Sequence, residues 1–167
     1  MYKTTTSSPL GILTLVSDGK HLTGLFIKNQ KYFLSGLKEL EENNHLEVFQ
    51  EVKTWLEKYF NGENPSIKEK TLMPHGTNFQ KIVWNSLLNI SYGKTVNYKK
   101  LANTVAKALG KPRMSAQAIG QAIGHNPISI IIPCHRVIGT DGRLTGYTGG
   151  IEKKKILLEL EQKRRDR

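Results

Sequence analysis

Cysteine is nearly absent from this sequence. The 167 residues contain one, Cys134, so no disulfide can close within the chain, and a structural zinc site, which takes several thiolates, lacks its ligands. Five histidines (21, 45, 75, 125 and 135) show neither i,i+4 pairing nor a CxxC companion, which removes the other common zinc patterns. No apolar run is long enough to cross a bilayer. The polar start Met1-Tyr2-Lys3-Thr4-Thr5-Thr6 has no signal-peptide apolar segment, and with the lone thiol it leads to the expectation of a reducing, cytoplasmic location. Gly93-Lys94-Thr95 is not a phosphate loop, because the first glycine of that motif would fall on Leu88. Internal repeats and low-complexity segments are missing too.

Acidic residues are scarce in only one half. Residues 1–72 hold 9 Lys/Arg and 9 Asp/Glu, whereas residues 73–167 hold 16 and 5, so the whole net charge of +11 lies in the second half. That half has the balance of a polyanion binder, and the first half does not. The run Lys163-Arg164-Arg165 reads equally well as a solvated tail.

Pattern along the chain divides the same way. Strand-like pieces at Tyr2–Thr6, Gly11–Ser17 and His21–Ile27, punctuated by Ser8-Pro9 and Asp18-Gly19, fit an antiparallel meander. Helical spacing follows in Phe33, Leu34, Leu37 and Leu40, then in Leu46, Phe49, Val52, Trp55, Leu56 and Phe60. Residues 61–76 read as a connection. Beyond it, Thr77 is placed to cap a helix carrying Phe79, Ile82, Val83, Leu87 and Leu88; a second helix is expected from Tyr98 to Leu109 and a third, capped by Ser115, from Ala116 to Gly124. The fold class is therefore α+β: a small N-terminal α/β domain (1–72, antiparallel sheet plus helices) and a C-terminal winged helix-turn-helix-like domain (73–167).

The third helix is nearly bare of bulk, with Ala116, Ala118, Gly120, Ala122 and Gly124. Small residues serve either tight packing on a neighbouring helix or close approach to something outside, such as a DNA groove. Major-groove readers need long polar side chains, and this helix offers essentially Gln117 and Gln121, so minor-groove approach fits better.

The lone cysteine follows the β-branched run Ile130-Ile131-Ile132, which reads as a strand ended by Pro133, and it precedes His135 and Arg136. A lone thiol is ordinarily an inert buried hydrophobe. Imidazole and guanidinium beside it give an electropositive setting that favours thiolate.

Taken in order, Gly93-Lys94-Thr95-Val96-Asn97-Tyr98, the small-residue helix ending in His125-Asn126-Pro127, Ile132-Pro133-Cys134-His135-Arg136-Val137, and Gly146-Tyr147-Thr148-Gly149-Gly150 with Glu161 resemble the O6-alkylguanine-DNA alkyltransferases. The resemblance runs over residues 77–162; Ser8-Pro9-Leu10-Gly11 looks like the opening of that family's N-terminal domain, which is ribonuclease H-like. It implies a single-turnover methylated-DNA–protein-cysteine S-methyltransferase. Such a protein repairs double-stranded DNA by moving a methyl or larger alkyl group from guanine O6, with O4-alkylthymine as a further candidate substrate, onto Cys134 after base flipping from the minor groove.

By the same resemblance, His135 takes the thiol proton through a bridging water and Glu161 orients the imidazole, a nucleophile–base–orienter arrangement. Asn126 braces the turn, Tyr98 protonates the departing purine, and Tyr147 and Thr148 wall the pocket. Ala116, Gln117, Gly120 and Arg136 are the expected DNA contacts. Gln117 stands where the family usually has an arginine that holds the space of the flipped base, and the stretch between Tyr98 and the recognition helix is a few residues longer than usual. No metal, cofactor or obligate protein partner is implied, and monomeric action is expected. Three rivals remain on sequence grounds: a damage sensor of the same fold, against which Cys134 argues; a cysteine hydrolase, which needs an oxyanion hole and normally a distant histidine; and a plain helix-turn-helix regulator, which needs more base-reading side chains.

Overall fold

The computed structural model describes residues 1–31, 33, 34, 37 and 39–165, with side chains through 163. Its N-terminal sheet grows from a tight hairpin. β1 (Tyr2–Ser8) pairs antiparallel with β2 (Gly11–Ser17) around Pro9-Leu10, Ser8 opposite Gly11. The Ser8 hydroxyl donates to the Gly11 carbonyl at 2.7 Å, and Gly11 takes the left-handed φ of 96° that the turn requires. β3 (Leu22–Ile27) continues antiparallel on β2, and the two-residue β4 (Glu41–Glu42) lies parallel to β1, so the order is β3-β2-β1-β4. The sheet is thus mixed and not purely antiparallel, because the chain crosses back after β3 to run beside β1 in the same direction.

The helix expected through Phe33, Leu34, Leu37 and Leu40 does not form at the described positions. Phe33 and Leu34 lie in a turn, Leu37 and Leu40 in irregular chain, and Leu34 adopts a left-handed φ of 53° that interrupts any helix; residues 32, 35, 36 and 38 lie outside the described set. α1 (Glu47–Phe60) does form, and it buries Val48, Phe49, Val52, Trp55, Leu56 and Tyr59 on one face. Leu13, Leu15, Leu25 and Ile27 of the sheet are fully buried in the same core.

The C-terminal helices start where capping chemistry places them. α2 (Asn78–Leu88) begins at Thr77, whose hydroxyl accepts from the Gln80 amide while the Gln80 side chain accepts from the Thr77 amide. α3 (Tyr98–Ala108) is capped by Asn97 and α4 (Ala116–Gly124) by Ser115. The three pack together, with the Trp84 indole donating to the Ala122 carbonyl at 2.9 Å. β5 (Val96–Asn97) and β6 (Val137–Ile138) form a short parallel pair. α5 (Ile151–Arg165) closes the chain, so the backbone of the basic run at 163–165 continues a helix.

Residues 130–132 are not a strand. Leu25 of β3 donates to the Pro127 carbonyl at 2.8 Å and accepts from Ser129 at 3.0 Å, which hangs this segment on the sheet edge. The chain then folds into consecutive tight turns, with Ile131 donating to Ser129 and Cys134 to Ile132, both at 2.8 Å, and Ile130 at φ 73°. A β-branched residue there is strained by about 1–3 kcal/mol. Burial compensates: Ile128, Ile130, Ile131 and Ile132 are all in the core. The apolar run therefore encodes burial and not strand pairing.

Thr77→Ala removes one half of the reciprocal cap at α2 and is expected to lower unfolding free energy by about 1 kcal/mol in urea denaturation; an unchanged midpoint contradicts the structural role of the cap.

Candidate active site

A cleft of about 510 Å³ opens between α4, the N-terminus of α3 and the 146–148 loop, and Cys134 lies in its lining. Tyr98, Gln117, Gly120, Tyr147 and Thr148 line it too, so six of the residues singled out from sequence converge there. Ala116 is exposed at the start of the same helix and is not part of the lining. A larger open groove of about 950 Å³ between α1 and residues 63–71 contains no thiol, and no cluster of potential metal ligands exists among the described residues.

The thiol is held by a hinge. Asn126 follows α4 and is buried; its amide nitrogen donates to the Ile132 carbonyl at 2.9 Å and its carbonyl oxygen accepts from the Ile128 amide at 3.0 Å, which ties α4 to the turns before Cys134. Cys134–Arg136 form one 3₁₀ turn, so Cys134 and His135 do not alternate across a strand. Burial pushes the Cys134 thiol up, against opposing contributions from Asn126 and the Lys154 charge. The resting sulfur therefore carries its proton, because burial outweighs the Lys154 charge, and the electropositive setting read from His135 and Arg136 does not by itself ionise it.

His135 is fully buried, and its Nε2 meets Glu161 Oε2 at 2.7 Å. Its Nδ1 is buried without a hydrogen-bond partner among the described residues, as is the Tyr147 hydroxyl. Burial lowers the His135 pKa, only partly opposed by Glu161, so the ring rests neutral. If Nε2 is the nitrogen that donates to the carboxylate, Nδ1 is the free acceptor.

Glu161 receives more than His135. Tyr59 donates to Oε2 at 2.6 Å, Arg136 donates to both oxygens at 2.8 and 3.1 Å, and the Gly93 amide reaches Oε1 at 3.2 Å. Burial alone pushes the carboxyl up; hydrogen bonds and charge from His135 and Arg136 outweigh it and hold the pKa at about 2. The third nitrogen of Arg136 donates to the Ile90 carbonyl at 2.7 Å, and the guanidinium lies 5.6 Å from the centre of the Tyr92 ring. The expectation that Arg136 contacts DNA is therefore corrected, since its whole guanidinium is engaged internally.

On the cleft wall, the Tyr98 hydroxyl makes a long 3.3 Å bond to the Thr145 carbonyl. Lys154 is fully buried with Nζ donating to Val137, Thr145 and Gly146 carbonyls at 2.6, 3.0 and 3.2 Å, which fastens the 145–148 loop to β6. Burial lowers its pKa to about 8, partly opposed by Cys134. The Lys31 amide donates to the Thr148 carbonyl at 2.8 Å and brings a further residue of the N-terminal domain to the rim. Sequence reasoning missed Tyr59, Lys154 and Lys31. For Lys154 a signal existed: Lys154, Leu157 and Glu161 follow i, i+3, i+7 and share the buried face of α5.

Ile119, Ala122 and Ile123 bury the inner face of α4, but a Cβ added at Gly120 or Gly124 would meet nothing within 4 Å. These glycines are not demanded by helix packing. They leave the outer face low, as close approach to an external surface needs.

Two family models cover nearly the whole chain: the ribonuclease-like domain of 6-O-methylguanine DNA methyltransferase at residues 1–72 and its DNA-binding domain at residues 78–163. The chain belongs to the 6-O-methylguanine DNA methyltransferase family. It is similar to the methylated-DNA–protein-cysteine methyltransferases of Haemophilus influenzae (40% identity, 97% of this chain and 87% of that protein) and Methanosarcina barkeri (44%, 97% and 98%). Among solved structures it resembles Mycobacterium tuberculosis OGT in complex with DNA, with TM-score 0.86, 40% identity and coverage of 98% of this chain and 94% of that one. As a 6-O-methylguanine DNA methyltransferase, this protein repairs DNA by direct transfer to cysteine, with DNA as its partner and Cys134, the only thiol in the chain, as the candidate acceptor.

Acid should destabilise this family member in two steps. Because folding lowers the His135 pKa, the unfolded chain binds that proton first and stability falls as pH drops below about 6.5. The lowered Glu161 pKa adds a second loss between about 4.5 and about 2. Urea midpoints measured from neutral to acid pH are expected to decline through both ranges, with the lower decline reduced in Glu161→Gln, where only other carboxylates held low, such as Asp18, still contribute.

Proposed function

We propose that this protein removes methyl and larger alkyl groups from guanine O6 in double-stranded DNA by one irreversible transfer per molecule onto Cys134, acting as a monomer. The observation that carries the reading is the joining of one cleft-lining thiol to a buried His135–Glu161 pair through a single 3₁₀ turn. Attack at an sp³ carbon requires a polarisable sulfur anion, and a thiol that rests protonated needs a base at the moment of reaction. His135 Nδ1 is the available acceptor, reached through a water, and Glu161 stabilises the imidazolium that results.

The alkyl carbon then exchanges its bond to guanine O6 for one to sulfur. The electron pair of the broken bond stays with the purine, and a proton from Tyr98 neutralises it. The long Tyr98–Thr145 bond supports this role, since it is easily exchanged for a substrate acceptor. The Tyr147 hydroxyl, buried at the cleft without a partner among the described residues, is suited to hydrogen-bond the flipped base, with Thr148 beside it. No step requires a cofactor. A thioether product regenerates nothing, and a nucleophile that must stay reduced supports a cytoplasmic setting.

Ala116, Gln117 and Gly120 form the outer face of α4 that meets the minor groove. Gln117 can pair with the orphaned base but lacks the charge and stacking plane of guanidinium, so flipping is weaker than an arginine would give.

Intact-mass analysis with a duplex carrying one O6-methylguanine is expected to show a gain of one methyl, mapped to Cys134 and absent from Cys134→Ala; lesion binding without mass gain would instead favour a damage sensor. Methylation crowds a buried site, so the alkylated protein is expected to melt lower. Gln117→Arg should speed duplex repair, and an unchanged rate rejects the flipping argument. Gly120→Ala should raise stability by about 0.5–1 kcal/mol in urea while weakening DNA binding, because glycine is costly in a helix and useful only to what comes close.

A further inference from the structure

The Glu161 carboxylate would be well supplied with donors by His135, Arg136 and the Gly93 amide alone. Yet its shortest bond, 2.6 Å, comes from Tyr59 on α1, a residue 102 positions away that belongs to the N-terminal domain and has no place in the chemistry described above. The Tyr59 hydroxyl donates to Oε2, the oxygen that also faces His135 Nε2. Packing accounts for its ring, which stacks on Trp55 at 5.1 Å and meets Phe60 and Tyr92 edge-on at 5.2 and 6.0 Å. Phenylalanine would pack the same way, so the hydroxyl is what needs an explanation.

We infer that Tyr59 is a positioning residue for alkyl transfer: by sharing Oε2 with His135 it sets how strongly the His135–Glu161 pair holds the proton taken from Cys134. The inference rests on the reading of His135 as the base. When the Cys134 S–H bond breaks, the proton passes to Nδ1, Nε2–H remains on Glu161, and the new imidazolium is stabilised by whatever negative charge Oε2 still presents. A donor on the same oxygen disperses that charge, so the imidazolium is less favoured and returns its proton more readily. Burial and the adjacent carboxylate push the Tyr59 phenol well above its ordinary pKa, so it remains a donor throughout the working range.

The other groups facing the pair are Arg136 and Cys134 from the same turn, Lys154 from α5, Tyr92 after α2, and Tyr147 from the loop. All are retained when only the Tyr59 oxygen is removed.

The test is the single-turnover rate of methyl transfer from an O6-methylguanine duplex, measured as a function of pH. The acid limb is assigned by its loss in His135→Gln. Tyr59→Phe is expected to move that limb up by about half to one pH unit, because the imidazolium is then better stabilised. Replacing Tyr59 by 3-fluorotyrosine, a stronger donor of the same shape, should move it down, and this keeps the inference testable even if Tyr59→Phe folds poorly. Trp55→Phe, which disturbs the stack but keeps the hydroxyl, should leave the limb in place. An unmoved limb in both Tyr59 variants, or an equal shift in Trp55→Phe, overturns the role of Tyr59 while the base assignment stands. A limb that survives in His135→Gln overturns the base assignment and this inference with it.

Discussion

One buried carboxylate organises the active half of the molecule. Glu161 sits almost without solvent on α5 and accepts from Tyr59 on α1, the Gly93 amide after α2, and His135 and Arg136 on the 3₁₀ turn. An ionised carboxylate in such a place is stable only because these donors replace water, and removing one leaves the charge under-compensated. The same bonds that make the charge tolerable therefore fix the relative positions of both domains, the last helix and the nucleophile turn. Structure and chemistry share a single set of contacts here, so the His135–Glu161 pair is positioned without any substrate present.

Around that anchor the protein keeps its nucleophile quiet. Burial holds the thiol protonated and the imidazole neutral, so the resting site carries no standing thiolate to be oxidised or alkylated at random. For a protein that can react only once, this matters. The strained path through Ile130 and the double hydrogen bond of Asn126 hold Cys134 at the cleft, with the strain offset by burial of four isoleucines. Lys154 completes the arrangement on the opposite side: it spends all three of its donors on carbonyls of β6 and the 145–148 loop and so fixes the wall carrying Tyr147.

The outer face of α4, which the proposed function turns toward DNA, follows a different logic, in which stability yields to access. Two helical glycines with open space at their Cβ positions lower the stability of α4 and are not needed by its neighbours. In the proposed function their use lies outside the protein, in the close approach of the groove. The basic excess of residues 73–167 supplies sequence-independent attraction to phosphate, while the cleft decides what is repaired.

Local chemistry was legible without coordinates. Capping residues at Thr77 and Ser115 marked helix starts, glycine and proline bounded β1 to β3, and the charge asymmetry marked the DNA-binding half, because each depends on near neighbours in the chain. The Pro-Cys-His-Arg context stood out from the residues themselves, whereas roles for Asn126, Tyr98, Tyr147 and Glu161 were legible only through a family resemblance. Where sequence reasoning failed, distant contacts had overruled local preference. The isoleucine run became buried turns because β3 offered an edge to hang on, and Arg136 turned inward because Glu161 and Ile90 took its nitrogens. By itself, then, the sequence determined the strands β1 to β3, the capped starts of α2 and α4, the charge distribution and a single candidate nucleophile, all of which arise from residues close in order. Tertiary structure alone decided which protonation state the thiol holds, which way Arg136 faces, and that Tyr59 and Lys154 belong to the site, since desolvation and shared hydrogen bonds exist only once residues a hundred positions apart are brought together.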